Sequence, residues 1–188
     1  MPLKSLYISK RFYYGLSFLV VLFLLGHFTQ LFFALGIISG VVLLLLVIVD
    51  LLMLFRGAAG KITGERSLPE RFSNGDENQV QVSLRNGYPF GISLEVIDEL
   101  PVQLQIRDFF RQGWLQSRQE WHFSYTLRPV ERGEYHFGHL NVFARTQLGL
   151  VTRRFRLASP AMVKVYPSFL QMRRFEIMAI SDRLSEMG

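Results

Sequence analysis

The chain has 188 residues, 49% of them apolar, a formal net charge of +6 and no cysteine. That length allows one ordinary domain plus a smaller element, and the missing cysteine excludes disulfides and thiolate metal sites. The positive charge is mostly arginine, and residues Arg56 to Gly188 alone carry +4, an ordinary surface balance that gives no reason to expect nucleic acid.

Residues 1–11 read as a short tail carrying Lys4, Lys10 and Arg11. From Phe12 to Phe55 there is no lysine or arginine, and Asp50 is the one acid. Two apolar runs, Phe12 to Phe28 and Leu31 to Val49, would be roughly 26 and 29 Å long as helices, close to a hydrocarbon core of about 30 Å. They predict a two-helix transmembrane hairpin over residues 12–55, turning at His27 to Gln30. No small-residue cleavage site follows the first run, which argues against a removed signal peptide. Lys4, Lys10 and Arg11 precede the spans, Arg56, Lys61 and Arg66 follow them, and the turn has no cation. The positive-inside rule then places both termini and the rest of the chain in the cytoplasm. His27, Gln30 and Asp50 lie near the predicted interfaces, where anchoring or solvation is their expected role.

Residues 56–72 are rich in glycine and turn formers and read as a linker entering a first irregular strand. Their "GKIT" is not a phosphate-binding loop, because Phe55 stands where that motif needs glycine. Period-two alternation then recurs between turn signals. It runs through Val80, Val82 and Leu84, then Ile92, Leu94 and Val96, then Val102, Leu104 and Ile106. It continues through Trp121, Phe123, Tyr125 and Leu127, and through Val151 to Leu157 and Ala161 to Val165. Seven or so short strands with no intervening helix predict an immunoglobulin-like antiparallel β-sandwich over 73–167.

In "RGEYHFGHLNVFARTQLGL" (Arg132 to Leu150) the alternation slips at Gly138. One extra residue reverses the faces of a strand, so a β-bulge would let Tyr135, Phe137, Leu140, Val142 and Ala144 enter one core. It would also place His136 and His139 on one outer face. Two histidines without a third ligand fall short of a zinc site, so no metal and no cofactor are expected. Asp98 and Glu99 are adjacent on a strand and point to opposite faces; Asp76 and Glu77 sit in a turn. No catalytic motif is present, so an enzyme is not expected.

Arg153, Arg154 and Arg156 form a basic cluster that would suit lipid headgroups. A solvated strand, with Arg154 and Arg156 outside and Phe155 inside, explains the same pattern. Residues 168–188 read as a C-terminal helix with a broad apolar face, leading toward a further domain or partner. Phe169, Met172, Phe175 and Met178 are its candidate partner-binding residues.

The chain resembles the bacterial proteins carrying domain of unknown function 58. The motifs are Arg132, Gly133 and Tyr135; "RTQLGL" at Arg145 to Leu150, with Gln147 where the family has proline; and Tyr166–Pro167, behind two N-terminal apolar runs. The resemblance implies a downstream von Willebrand factor A-like domain and a MoxR-type AAA+ ATPase as partners, at the bacterial inner membrane. The resulting expectation is a membrane-anchored, non-enzymatic interaction or scaffold module. An envelope-facing sandwich that binds a glycan or lipid is the alternative, and it requires the opposite orientation.

Overall fold

The computed structural model describes residues 5–56, 62–106 and 109–167. A short strand β1 (Leu6–Ile8) leads into helix α1 (Lys10–Gly26), which a three-residue turn joins to helix α2 (Gln30–Phe55). Ser9 starts α1 as its N-cap, its hydroxyl accepting from the Arg11 amide, the usual way of satisfying a free amide of the first turn. The two helices lie against one another, with Phe23 and Phe33 edge to face at 5.9 Å.

Ten strands follow: β2 (Ile62–Ser67), β3 (Arg71–Ser73), β4 (Asn78–Asn86), β5 (Ile92–Asp98), β6 (Phe110–Leu115), β7 (Glu120–Leu127), β8 (Gly133–Phe137), β9 (Leu140–Arg145), β10 (Val151–Arg156) and β11 (Ala161–Tyr166). They build a five-stranded sheet in the order β1-β10-β9-β5-β6 and two three-stranded sheets, β2-β4-β7 and β3-β11-β8. Alternate residues of the long strands face inward as a half-buried sheet requires. Val80, Val82 and Leu84 from β4, Ile92, Leu94 and Val96 from β5, and Val163 and Val165 from β11 meet in one core. The chain thus holds a β-sandwich of immunoglobulin-like type.

The two-span hairpin does not hold. Among the described residues α2 alone is long and apolar enough to cross a membrane. Its 26 residues extend about 39 Å, beyond a core of about 30 Å. Helix α1 stops at Gly26, and its first turn is Lys10 and Arg11. The apolar stretch from Phe12 to Gly26 spans only about 22 Å, short of the same core.

The sandwich also departs from the expected pattern. It is not wholly antiparallel, because β3 runs parallel to β11. The alternation at Val102 to Ile106 is no strand: Val102–Leu104 forms a 3-10 turn that ends with Gln105 left-handed at φ 54°, and Val102 is 88% exposed. Gly138 is not a bulge. Strand β8 ends at Phe137 in one sheet and β9 begins at Leu140 in another, so Gly138 and His139 carry the chain across a corner. Tyr135, Phe137, Leu140, Val142 and Ala144 do all enter the core. Glycine is needed at 138 for close approach, since a Cβ there would stand 2.7 Å from the Glu99 Cβ.

Candidate functional site at the helix–sandwich joint

Asp50, one turn from the end of α2, is fully buried. An uncompensated carboxylate in such a place is costly, and here its oxygens are met by three donors from the sandwich. Oδ2 accepts from the amides of Leu150 and Val151, each at 2.8 Å, and Oδ1 accepts from the Thr146 hydroxyl. Thr146 in turn accepts from the Gly149 amide at 3.3 Å. These partners lie in the turn between β9 and β10 and at its junction with β10, Val151, so the "RTQLGL" segment is the seat of the apolar helix.

The same turn is held from the start of α1. Arg11 Nη1 donates to the carbonyls of Gln147 at 2.9 Å and Leu148 at 3.1 Å. Gly149 sits between these two clamps with φ +62°, and a Cβ on it would come within 3.0 Å of Arg11 Nη1. Left-handed backbone and close approach together require glycine there. The pairing of β1 with β10 completes the seat, with Ser9 N donating to the Leu150 carbonyl at 3.0 Å.

The end of α2 is secured a second time through Leu54, which is fully buried. Its carbonyl is among those a helix end leaves without a helical partner. Here it accepts from the Tyr88 hydroxyl at 2.8 Å and from Arg153 Nη1 at 2.8 Å. Tyr88 is placed by Asn86, whose side chain donates to the Phe90 and Gln116 carbonyls and accepts from the Tyr88 amide. Burial raises the Tyr88 hydroxyl pKa against the opposing pull of Arg153, which keeps it a donor. Arg153 also lies over the rings of Phe55 and Phe155, 4.6 Å from each centroid.

A second buried polar cluster ties the sheets to one another. Asp98 at the end of β5 is bonded to Arg66 of β2 and accepts from the Tyr125 hydroxyl of β7 at 2.5 Å. Arg66 also donates to the Gly138 carbonyl at 3.1 Å and stacks 4.9 Å over Phe137. Burial pushes the Asp98 carboxyl above its ordinary range, with Tyr125 and Arg66 pulling it down. Burial and the adjacent carboxylate raise the Tyr125 hydroxyl far above its ordinary range. Glu99 turns the other way. The His139 amide and the Asn141 side chain bond to it, and the first of these leads in holding its carboxyl low, against burial.

The residues singled out from sequence are dispersed. Arg153 points onto the end of α2, whereas Arg154 faces Tyr7 of β1, its guanidinium 5.5 Å from the ring, and Arg156 is exposed. Phe169, Met172, Phe175 and Met178 lie outside the described residues. His136 pairs with Glu134 at 3.9 Å, and His139 faces the Ala158 carbonyl at 3.2 Å. No cluster of three or more metal-ligating side chains occurs among the described residues. Sequence reasoning placed Asp50 at a solvated interface and passed over Tyr88 and Arg11. Two signals were available: a single acid in an apolar run of more than forty residues, and a tyrosine inside the turn "NGYPFG".

No family model matches the sequence, and no curated protein matches it. Solved structures resemble it distantly. The CARDB domain of the PF1109 protein from Pyrococcus furiosus is 15% identical with a TM-score of 0.38, over 56% of this chain and 87% of that one. The PapD-like domain 7 of human CEP192 is 17% identical with a TM-score of 0.41, over 57% and 87%. A beta-glucosidase from Listeria innocua in complex with gluconolactone is 18% identical with a TM-score of 0.33, over 57% of this chain and 16% of that one. Scores this low carry no functional argument.

Proposed function

We propose that the chain is the anchor-and-sandwich portion of a domain of unknown function 58 protein, a non-enzymatic interaction module. In this reading α2 holds it at the bacterial inner membrane, with the sandwich in the cytoplasm. There the sandwich is presented to a von Willebrand factor A-like domain and, through it, to a MoxR-type AAA+ ATPase.

The observation that carries this reading is the joint. Asp50 and Leu54 belong to an apolar helix, yet their polar partners are Thr146, Leu150, Val151, Tyr88 and Arg153 of the sandwich. A removable signal sequence would leave those buried donors unpaired. A soluble core helix would be mostly covered, whereas 6% of the apolar window of α2 is buried in the protein. Lipid contact on the rest of α2 and a rigid link to the sandwich satisfy both observations. The link is formed by "RTQLGL", one of the motifs behind the family resemblance. Lys10 and Arg11 in the first turn of α1 and Arg56 at the end of α2 stand at the sandwich end of the helices and favour the cytoplasmic side for it.

The test uses the lack of cysteine. Val102→Cys sits on an exposed turn and gives the chain a single thiol. Intact cells treated with a membrane-impermeant thiol reagent should leave it unlabelled until lysis, and cross-linking should then recover the ATPase. Labelling in intact cells contradicts the cytoplasmic assignment and favours an envelope-facing sandwich.

A further inference from the structure

Between the start of α1 and the outer face of the five-stranded sheet lies a small cavity of about 80 Å³, lined by Ser9, Arg11, Ser93, Arg145, Thr146 and Gly149. It holds more than one water, whose share of liquid volume is about 30 Å³. Two guanidinium groups from residues far apart in sequence line it, and no carboxylate does. Gathering like charges costs free energy, which the Glu95 pair offsets for Arg145 but not for Arg11.

Both guanidinium groups are fixed by the protein before any ligand arrives. Arg11 spends one nitrogen, Nη1, on the Gln147 and Leu148 carbonyls. Arg145 is paired through Nη2 with Glu95, while its Nε is buried with no partner. Arginine offers five N–H donors in a planar fork that matches phosphate oxygens. The Ser9 and Ser93 hydroxyls add neutral donors, and the N-terminus of the 17-residue α1 contributes a partial positive charge. Thr146 adds no donor, because its proton goes to Asp50.

The cavity shares Ser9, Arg11 and Arg145 with a wider recess that also holds Lys10, Glu95 and the apolar faces of Tyr7 and Phe143. Three cations there face one acid, and Asp50 stands behind Thr146. A singly charged anion fits this balance better than a multiply charged one, and the apolar mouth suits an organic substituent. We propose that this cavity binds the phosphate of a singly charged phosphodiester, the chemistry shared by an anionic phospholipid headgroup and a small free phosphate ester. The site does not require α2 to lie in a bilayer, so it stands or falls apart from the membrane reading.

The test is made on the full chain, labelled with nitrogen-15, reading the Arg145 Nε–H signal and, in every variant, the backbone amide of Gly149, which also lines the cavity. One sample in detergent is titrated with dimethyl phosphate. Another is held in nanodiscs of phosphatidylcholine, with or without phosphatidylglycerol. The proposal expects the Arg145 signal to shift and sharpen in at least one arm. A shift with phosphatidylglycerol that dimethyl phosphate competes away assigns the lipid headgroup, and a shift with dimethyl phosphate alone assigns a free ester. Arg145→Gln should weaken binding about tenfold or more, whereas Arg154→Gln, an equal loss of charge outside the cavity, should leave it within about twofold. Ser93→Asp keeps both arginines and adds a carboxylate to the cavity lining, so it should abolish binding with the fold intact by circular dichroism. Absence of any shift in both arms overturns the proposal. So does undiminished binding by a folded Ser93→Asp chain, or an equal loss in Arg145→Gln and Arg154→Gln.

Discussion

Asp50 and Asp98 are both buried acids in positions that join separate parts of the molecule, and their hydrogen-bonding needs are met differently. Asp98 ties three strands of the sandwich together through a cation, Arg66, and one hydroxyl, Tyr125. Asp50 ties the apolar helix to the sandwich with no cation among its described partners, using two backbone amides and the Thr146 hydroxyl. An ion pair in a core locks packing, but removing one member strands the other charge. Amide donors are part of the turn itself, so the Asp50 joint depends on the shape of residues 146–151. The sandwich is thus held by charge inside, and the helix is seated by backbone geometry.

The largest effect should come from breaking the inner pair. Asp98→Ala leaves Arg66 buried without its partner, and unfolding by denaturant should show a loss of about 3–5 kcal/mol. A loss near zero would mean that Arg66 reaches solvent in the folded chain. Asp50→Ala strands two amides and a hydroxyl, which the turn can open to water, and should cost less, about 1–3 kcal/mol in all. Its effect should be concentrated on the 146–151 turn, with strands β4 and β5 little changed. Amide exchange resolved by residue separates that outcome from a general loosening. Tyr88→Phe removes the hydroxyl bond to the Leu54 carbonyl, which Arg153 still serves, and should cost about 1 kcal/mol.

The smallest effect concerns pH. The folded-state pKa of Glu99 is lowered from its ordinary value of 4.5. A depressed carboxylate contributes stability that is present above its unfolded pKa and lost as pH falls through the folded one. Glu99→Gln should therefore have a lower urea midpoint than the parent chain at pH 7, with the two converging below about pH 4. A constant difference across that range would show that Glu99 acts through packing alone.

Much of the sandwich was legible because a half-buried strand announces itself by alternation. Strands β4, β5, β7 and β11 alternate cleanly, and their inward residues are those that the period of two selects. The same rule misled at Val102 to Ile106, where Pro101 and a left-handed Gln105 close a turn on the surface. Strand β1 has three residues, too few for any period to show. Gly138 marked a real change of face but not its cause, since the second sheet is visible only in three dimensions.

The joint was the least legible part. Asp50 meets partners 96 to 101 residues away, and no local pattern reports such a separation. The apolar runs hid a second fact, that α1 spends its first turn on the Gln147 and Leu148 carbonyls rather than on extending an apolar span. Composition sees Lys10 and Arg11 as flanking charge, whereas the fold uses Arg11 as a clamp.

The most direct test of the seated helix is amide hydrogen exchange at Leu150 and Val151 in the intact chain, with and without Asp50→Asn. If Asp50 accepts from both amides, they should exchange as slowly in the parent chain as the core amide of Val142. In the variant they should exchange about tenfold faster or more, while Val142 is unchanged. Equal rates at Leu150 and Val151 in the two chains would contradict the account.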